Sequence, residues 1–496
     1  MKTKKALIIG TGLGGLATAL RLAKRGYEVE MVEQNHQAGG RLNQLKKDGF
    51  VFDLGPTFFS MSYEFEEFIK YCDIRMPFEF VELDPLYAVN FMGEKKNYLI
   101  YKDLKKLATE FKDIEPDFER KMKKYLTGAG KIFHDTEDRI IRRNFNGITD
   151  FLFQMSKVPW KHAPKMTRSM WSEMNRHFDS QEVKVIFSLV AFFLGSTPFD
   201  TPAVYSLLSY TEMMHDGYHN VKGGMYKIVE GLLGEMEKEN IKIHYNTEIV
   251  DYIMKNGKLD GFRDSQGKDW KADVFVVNAD AAGFRNTIFK REKYSVQKLD
   301  KMKWTLAPFT MYLGVKGKTD ALHHHNYFLR KNFREYANKI FKNQISLDKP
   351  YYYVNLNSRL NPETAPEGHE SIFVLCPVPD LRFKPDWSDK DRIADNIITD
   401  LSERLQFDIK KNLVSKTVYD PIDWQKEFGL YRGSGLGLAH DLNQIGGFRP
   451  RNYDEVFDNV FYVGASTIPG TGLPMTIISS RLVTERILDK YGPLSS

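Results

Sequence analysis

A short apolar run followed by a cluster of glycines dominates the first forty residues of this chain. Ala6–Ile9 has the pattern of a buried parallel strand. The sequence GTGLGG follows at once, from Gly10 to Gly15. An apolar stripe from Leu16 to Gly26 then predicts a helix that ends at the glycine, with its first amide groups facing the glycine turn.

The glycines and the next strand together have the pattern of a nucleotide-binding site. Gly10 permits a tight turn, Gly12 lets a pyrophosphate approach the backbone, and Gly15 lets the helix pack on the strand. A second strand is predicted over Glu28–Val32, and Glu33 stands at its end, where a carboxylate accepts hydrogen bonds from a ribose diol and repels a 2′-phosphate. The sequence therefore predicts a dinucleotide-binding unit. A glycine-rich loop in an ordinary α/β unit is the alternative, and it leaves the acid unexplained.

Composition limits the classes of function. A chain of 496 residues with 42% hydrophobic and 27% charged residues predicts a globular protein of two or three domains. The net charge of +6 is too small to indicate nucleic-acid binding, but it is compatible with an anionic membrane surface. Two cysteines, Cys72 and Cys376, provide no disulfide framework and indicate a reducing, cytoplasmic setting. The longest apolar run, Val185–Leu194, is too short to span a bilayer.

Two further motifs carry a resemblance to a known family. Gly39-Gly40-Arg41 is similar to the motif of glutathione-reductase-like flavoproteins, in which the arginine supplies a cation to the diphosphate of FAD. A surface charge is the alternative for Arg41. Asp53-Leu-Gly-Pro-Thr57 recurs in the bacterial phytoene desaturases, which are carotenoid dehydrogenases and isomerases of the flavin amine-oxidase clan. The chain resembles this family over nearly its whole length, which implies FAD and not NAD as the cofactor.

The C-terminal segment Asn459–Met475 resembles the second FAD motif of that family. A strand, a glycine turn and a helix N-terminus would present amides to the flavin C2 carbonyl and N1, where negative charge develops on reduction. Ala465 stands where many relatives in the wider superfamily carry an acid. The fingerprint and the resemblance together imply these cofactor-binding residues: Gly10, Gly12, Leu13, Gly14, Gly15, Glu33, Gln34, Gly40, Arg41, Gly55, Pro56, Thr57, Ile249, Val250, Asn278, Ala279, Asp280, Gly464, Ala465, Gly472, Leu473, Pro474 and Met475.

Two other patterns are rejected as sites. Gly433–Ala439 imitates a second dinucleotide fingerprint, but no apolar strand precedes it and no acid-capped strand follows. His323–His325 has no spaced partner set, so no metal is expected. With one acceptable fingerprint assigned to FAD, we expect a quinone or oxygen, and not a nicotinamide, to reoxidise the flavin.

The predicted fold class is α/β. A discontinuous Rossmann-type FAD-binding domain is expected to comprise residues 1–59, 220–285 and 448–496. Residues 60–219 are predicted to form a helical lid that faces the membrane, and residues 286–447 an inserted α+β substrate domain. Within these domains the strand-like runs are Ile241–Ile253, predicted as a strand pair, and Thr310–Val315, Tyr351–Leu356 and Ser371–Val378.

Three features of the lid and its neighbours bear on the substrate. The apolar stretch Val185–Ser209 matches the family segment that borders the substrate tunnel, with a plain core helix as the alternative. His219–Gly224 keeps the family's two glycines but lacks its aromatic pair and proline. Asp150 is the only named candidate for a base; the family can place an arginine three residues on, where this chain has Phe153.

The segment Phe151–Trp171 combines basic and aromatic residues at helical spacing. Such a combination predicts a surface that lies on a membrane, and a solvated helical face is the alternative. The residues in question are Lys157, Trp160, Lys161, Lys165, Arg168 and Trp171. We therefore expect a monotopic protein, cytoplasmic and peripheral on the inner face of the cell membrane.

The resemblance implies an FAD-dependent carotenoid desaturase, which introduces C=C bonds by hydride transfer to FAD. The departures at His219–Lys222 and at Pro469–Met475 favour 3,4-desaturation of a hydroxylated or monocyclic carotenoid, such as a γ-carotene derivative. The alternatives are desaturation of phytoene to lycopene, carotene isomerisation, and a non-catalytic carotenoid-binding flavoprotein. The oligomeric state stays open.

Overall fold

The computed structural model describes residues 4–94 and 96–493, with the backbone alone at Phe193. The outermost residues of the predicted FAD domain, 1–3 and 494–496, lie outside this range. The strands are β1 (Lys5–Ile9), β2 (Glu28–Val32), β3 (Gln44–Lys47), β4 (Phe50–Asp53), β5 (Phe80–Glu82), β6 (Tyr87–Phe91), β7 (Asn97–Ile100), β8 (His219–Val221), β9 (Lys242–His244), β10 (Ile249–Lys255), β11 (Lys258–Asp264), β12 (Asp269–Lys271), β13 (Val274–Val277), β14 (Ala307–Lys316), β15 (His325–Leu329), β16 (Tyr352–Leu356), β17 (His369–Val378), β18 (Leu413–Tyr419) and β19 (Val460–Tyr462).

The helices are α1 (Leu13–Ala23), α2 (Tyr63–Cys72), α3 (Leu104–Phe111), α4 (Phe118–Thr136), α5 (Ile148–Ser156), α6 (Ala163–Thr167), α7 (Met170–His177), α8 (Gln181–Ile186), α9 (Val190–Phe193), α10 (Leu207–Tyr210), α11 (Lys227–Lys238), α12 (Ala281–Thr287), α13 (Val296–Leu299), α14 (Phe333–Ile340), α15 (Asn357–Leu360), α16 (Lys390–Leu405), α17 (Ile409–Asn412), α18 (Pro421–Phe428) and α19 (Leu473–Tyr491).

A five-stranded parallel sheet carries the glycine fingerprint. Its strand order is β19-β13-β1-β2-β9, and every neighbouring pair is parallel. The central strands are buried on both faces, which explains their continuous apolar runs. The strands come from three separate stretches of the chain, so the Rossmann-type sheet is discontinuous.

Helix α1 begins three residues earlier than the sequence predicted. Gly12 has extended backbone angles and precedes the first helical residue, Leu13, so the second half of the glycine cluster forms the first helical turn. The helix ends at Ala23, and Gly26 follows with a φ of 86°, the left-handed conformation that favours glycine after a helix. The predicted helix, Leu16–Gly26, therefore lay three residues too far toward the C-terminus.

A second, seven-stranded sheet has the strand order β18-β14-β17-β16-β15-β6-β7. The three strands predicted between residues 310 and 378 are present, and β14 and β17 extend further than predicted. Strands β6 and β7 were not predicted, because they lie inside the 60–219 segment that the sequence indicated to be helical. They complete the sheet edge through a parallel pairing of β6 with β15.

The predicted strand pair at Ile241–Ile253 is wrong in its partners. Two strands are present, but β9 joins β2 in the parallel sheet, whereas β10 pairs with β11 in a separate antiparallel sheet. Alternation of apolar residues identified both strands, and it carries no information on the partner of either.

Buried residues of α3, α4, α7 and α8 share one hydrophobic core with the seven-stranded sheet. Within residues 4–94 and 96–493, no helix combines the length and the apolar character needed to cross a bilayer.

Candidate functional site

One large cavity joins the parallel sheet to the helical region. Its volume is about 1300 Å³. Pockets for a single small molecule measure about 300–1,000 Å³, so this cavity has room for a large cofactor together with a second large ligand. Every predicted cofactor-binding residue except Gly15 lines it. The fingerprint, the GGR motif and the C-terminal loop therefore meet in one space, as the sequence predicted.

Gly15 lies behind the lining, where the helix crosses the strand. A Cβ atom there would lie 2.4 Å from the carbonyl oxygen of Gly10 and 2.9 Å from Oδ1 of Asn278. Both distances are shorter than a nonbonded contact allows, so this position requires glycine. The packing role that the fingerprint assigned to Gly15 agrees with this geometry.

Glu33 is buried and held rigidly at the end of β2. Its Oε2 accepts hydrogen bonds from the amide of Thr11, at 2.8 Å, and from the hydroxyl of Thr11, at 2.7 Å. Its Oε1 accepts from the amide of Asn35 at 2.9 Å. These bonds fix the carboxylate at the cavity wall and leave it lone pairs for a ribose hydroxyl. The partners Thr11 and Asn35 were not predicted, because their roles depend on the turns around them.

Arg41 is a cation in the cavity wall that lacks an acidic partner. Its Nη1 donates a hydrogen bond to the carbonyl of Gly435 at 2.8 Å. Burial lowers the pKa of Arg41, and the charge of Asp280 raises it in part. Among the described residues no carboxylate lies within ion-pair distance of this guanidinium. A half-buried cation of this kind at the cavity wall fits an anionic ligand group such as a diphosphate.

A second unsatisfied group lies beside Gly12. Asn278 donates from Nδ2 to the carbonyl of Val463 at 3.1 Å, while its buried Oδ1 has no partner among the described residues. A Cβ atom on Gly12 would lie 2.8 Å from that oxygen. The free acceptor, the Arg41 cation and the side-chain-free glycine wall together fit the dinucleotide that the sequence predicts.

Arg449 stabilises the C-terminal loop of the site through hydrogen bonds to backbone carbonyls. Its side chain is buried, and burial lowers its pKa to about 10. The guanidinium donates hydrogen bonds at 2.6–3.3 Å to five carbonyl groups, those of Leu438, Ala439, Gln444, Ala465 and Thr467. Two of these belong to the loop that follows β19. This role was not predictable from the sequence, in which Arg449 is marked only by its position in a family segment.

The remainder of the cavity is an apolar arm. The stretch predicted to border a tunnel contributes Leu189, Val190, Tyr205 and Leu208 to its wall. Further lining comes from Phe133 on α4, Met155 on α5 and Met166 on α6, with Tyr327 and Leu329 on β15. Large apolar side chains and the absence of charge along most of this wall suit a long hydrocarbon.

Asp150 does not reach this space. It lies in the first turn of α5, where Oδ2 accepts from the amide of Asn146 at 3.0 Å and Oδ1 faces the side-chain amide of Gln154. It is not among the residues that line the cavity. The prediction that Asp150 is a base is not supported by this placement, because its carboxylate caps a local turn instead.

The two glycines after Lys222 also lie outside the lining. The amide of Gly223 donates to Oδ1 of Asn361 at 2.7 Å. A Cβ atom on Gly224 would lie 3.3 Å from the carboxylate of Asp53. These glycines therefore pack against Asn361 and Asp53, outside the lining of the cavity.

Three of the four basic residues predicted to face a membrane are engaged in ion pairs. Lys165 and Arg168 both contact Glu173, at 3.0 and 2.6 Å. Lys161 contacts Asp135 at 3.1 Å. Trp171 is half-buried, and its ring packs against Phe199 and Phe333, with centroids 4.9 and 6.0 Å away.

Comparison with known proteins agrees with this geometry. The family model described as "Flavin containing amine oxidoreductase" matches residues 13–488. A zeta-carotene-forming phytoene desaturase of Myxococcus xanthus is 32% identical over 98% of this chain and 94% of its own length. A 4,4′-diapophytoene desaturase of a Methylomonas species is 27% identical over 99% and 96%.

Solved structures agree with the fold. An oxidoreductase from Methanosarcina mazei superposes with a TM-score of 0.63 at 17% identity, over 97% of this chain and all of the other. A putrescine oxidase variant superposes with a TM-score of 0.64 at 12% identity, over 98% and 99%. The chain therefore belongs to the flavin-containing amine oxidoreductase family, and within it to the FAD-dependent carotenoid desaturases.

Proposed function

We propose that this protein desaturates a carotenoid in the apolar arm of the cavity. One observation carries the proposal: the apolar arm and the predicted FAD-binding residues line the same cavity. Bound FAD would supply the hydride acceptor. The residues of the chain hold the cofactor, exclude water from the apolar arm and align the polyene along it.

Within that activity we propose 3,4-desaturation near one end of a hydroxylated or monocyclic carotenoid, such as a γ-carotene derivative. Support comes from the departures from the usual family pattern at His219–Lys222 and Thr471–Met475. Leu473, Pro474 and Met475 line the cavity, and Tyr218, which precedes the first of these segments, also lines it. The second candidate is stepwise desaturation of phytoene to lycopene, and its substrate is the one in the name of the Myxococcus xanthus relative, a zeta-carotene-forming phytoene desaturase.

Pigment analysis separates these candidates. The chain is expressed in cells that accumulate phytoene, lycopene, γ-carotene or hydroxylated γ-carotene, and the products are identified by chromatography and mass. We expect one additional double bond at the 3,4 position of the coloured substrates and no conversion of phytoene. Conversion of phytoene alone would support the second candidate, and unchanged double-bond number with altered geometry would indicate isomerisation.

We further propose that the arm opens toward a membrane near α5, with the protein peripheral on the inner face of the cell membrane. The outer side of this region carries exposed apolar side chains: Leu152 is 52% exposed, Phe153 59% and Trp160 83%. Lys157 lies over the Phe153 ring at 4.2 Å, beside these side chains. Exposed apolar residues with a flanking cation suit the interface of a bilayer.

The same short segment also contacts the cavity. Met155 on α5 and Met166 on α6 line the arm, while Phe153 and Trp160 face outward. Passage of a carotenoid through water would cost about 0.8 kcal/mol for each exposed CH₂ group, which is prohibitive for so long a chain. Transfer from lipid directly into the arm avoids that cost, and it requires an entrance near the lipid surface.

Flotation with liposomes tests this docking surface. The variant Leu152→Ser/Phe153→Ser/Trp160→Ser is expected to lose most binding to liposomes, because it removes the exposed apolar area. Met254→Ser, which changes an exposed apolar residue on β10, is the matched control and should float like the parent protein. Equal flotation of all three proteins would contradict docking through α5. Charge reversal at Lys161 or Lys165 is a poorer test, since it also breaks ion pairs with Asp135 and Glu173.

We propose a quinone or oxygen as the electron acceptor, since the chain offers one dinucleotide fingerprint and FAD is assigned to it. The enzyme is reduced anaerobically and then mixed with a soluble quinone, oxygen, NAD or NADP. Rapid reoxidation by either of the first two, and none by the nicotinamides, is the expected result. Fast reoxidation by NAD or NADP alone would contradict the proposal.

Arg41→Met is expected to weaken FAD binding by about tenfold or more. The reason is the loss of charge-assisted hydrogen bonds, each worth about 1.5–3 kcal/mol, to the diphosphate. Titration of the apoprotein with FAD measures the change, with the exposed Arg143→Met as a control that should bind as the parent does. An unchanged dissociation constant for Arg41→Met would show that this cation does not serve the diphosphate.

A further inference from the structure

A small polar cluster interrupts the apolar arm. Glu212, in the π-helical turn Thr211–His215, lines the cavity together with Tyr218 and Tyr327. Glu212, Tyr218 and Tyr327 also line one much smaller neighbouring cavity, so these side chains lie next to one another. Tyr87, from β6, adds a third tyrosine, with its ring centroid 5.3 Å from that of Tyr327. Nothing in the cofactor site accounts for this cluster.

The Glu212 carboxylate has no cation to balance it. Among the described residues its environment is set by burial, which raises its pKa to about 7, and by the Tyr218 hydroxyl, which lowers it. Placing such a group among apolar side chains costs free energy, and a pure hydrocarbon substrate offers it no compensation. A polar group on the ligand would supply the missing partner.

The position of the cluster narrows the choice of ligand group. The Tyr218 ring lies 4.4 Å from that of Phe58, centroid to centroid, and Phe58 directly follows Thr57, a predicted cofactor-binding residue. On its other side the cluster lines a second cavity of only about 10 Å³, which accommodates at most a single water. The polar partner therefore belongs to the part of the ligand in the main cavity, near the cofactor.

We propose that Glu212 and Tyr218 form a subsite for a hydroxyl group at one end of the polyene substrate. The alcohol would donate its O–H to the carboxylate and accept from the Tyr218 or Tyr327 hydroxyl. The subsite deepens the proposed function and rests on it. Because only the Phe58 ring separates Tyr218 from Thr57, a hydroxyl bound here would hold its end of the substrate beside the predicted cofactor-binding loop, which agrees with oxidation near that end.

Binding measurements on the FAD-loaded protein test the subsite. The probes are lycopene and the same chain carrying one terminal hydroxyl group, each supplied in detergent and followed by the change in carotenoid absorption. The parent protein is expected to bind the alcohol about tenfold or more tightly than the hydrocarbon. Glu212→Leu should bring the two affinities close together by weakening alcohol binding alone. The exposed Glu119→Leu, on α4, should keep the preference.

Tyr218→Phe is the second variant, in case Glu212→Leu does not fold; it should reduce the preference in part. Equal affinities of the parent for the two probes would overturn the subsite, and so would a full preference in Glu212→Leu. If the parent prefers the alcohol but desaturates no carotenoid, the subsite stands and the proposed activity fails.

Discussion

Replacing Arg449 by methionine is expected to lower the free energy of unfolding by about 4 kcal/mol and to abolish retention of FAD. The substitution removes the donor from five carbonyl groups at once. A buried acceptor that is left without a donor typically costs about 1–3 kcal/mol, and some of the five carbonyls can relax toward other donors. The loop after β19 then loses its support, because the carbonyls of Ala465 and Thr467 would be buried without partners.

Urea unfolding followed by intrinsic fluorescence measures the stability change, and absorbance at the flavin band measures FAD retention. Arg449→Lys should fall between the parent and Arg449→Met, because an ammonium group has three donors and cannot span five acceptors. Arg176→Met, at an exposed position on α7, should change the stability by less than about 0.5 kcal/mol. An Arg449→Met protein that unfolds at the parent's urea concentration would show that the carbonyls find other donors.

Gly15→Ala is expected to produce a folded core with little or no bound FAD. The added methyl group would lie 2.4 Å from the Gly10 carbonyl oxygen, and neither that backbone nor the buried Asn278 side chain can move without opening the glycine turn. Helix α1 would be displaced from β1, and its first amides would no longer point into the cofactor-binding cavity.

Denaturing the purified variant and measuring the released flavin checks this expectation. Gly234→Ala, on α11, is the matched control, because a Cβ atom there meets nothing within 4 Å. Alanine is the better helix former at an open position, by roughly 0.5–1 kcal/mol, so the control should retain FAD and be slightly more stable. A Gly15→Ala protein with a full complement of FAD would refute the packing role assigned to this glycine.

The cofactor-binding residues were predictable because their roles depend on residues at a fixed, short spacing in the chain. A glycine that must lie against a carbonyl, or an acid that must end a strand, has a fixed distance in the chain from its partners, and Gly15 and Glu33 were found in that way. The predicted membrane-facing segment shows the limit of reasoning from local spacing. Helical spacing identified Trp160, but it could not reveal that Lys165 and Arg168 share Glu173 as an ion-pair partner.

The features that the sequence did not reveal depend on contacts between distant parts of the chain. Strand β6 is five residues long and its partner β15 is far away in sequence, so its own pattern was too short to outweigh the charged helical surroundings. Arg449 and Glu212 are single polar residues, and their roles depend entirely on the residues that surround them in the folded protein. Asp150 illustrates the converse, since a family motif position pointed to a residue that only caps a turn.

The order of strands in the parallel sheet has a consequence for biosynthesis. Strand β19 begins at Val460 and pairs with β13, which in turn pairs with β1 near the start of the chain. During translation the glycine turn leaves the ribosome early, but the wall that closes over it is synthesised only after the whole seven-stranded sheet. The nascent chain therefore cannot enclose the flavin until β19 and α19 have emerged, and capture of the cofactor is a late event that reports on completion of the rest of the fold.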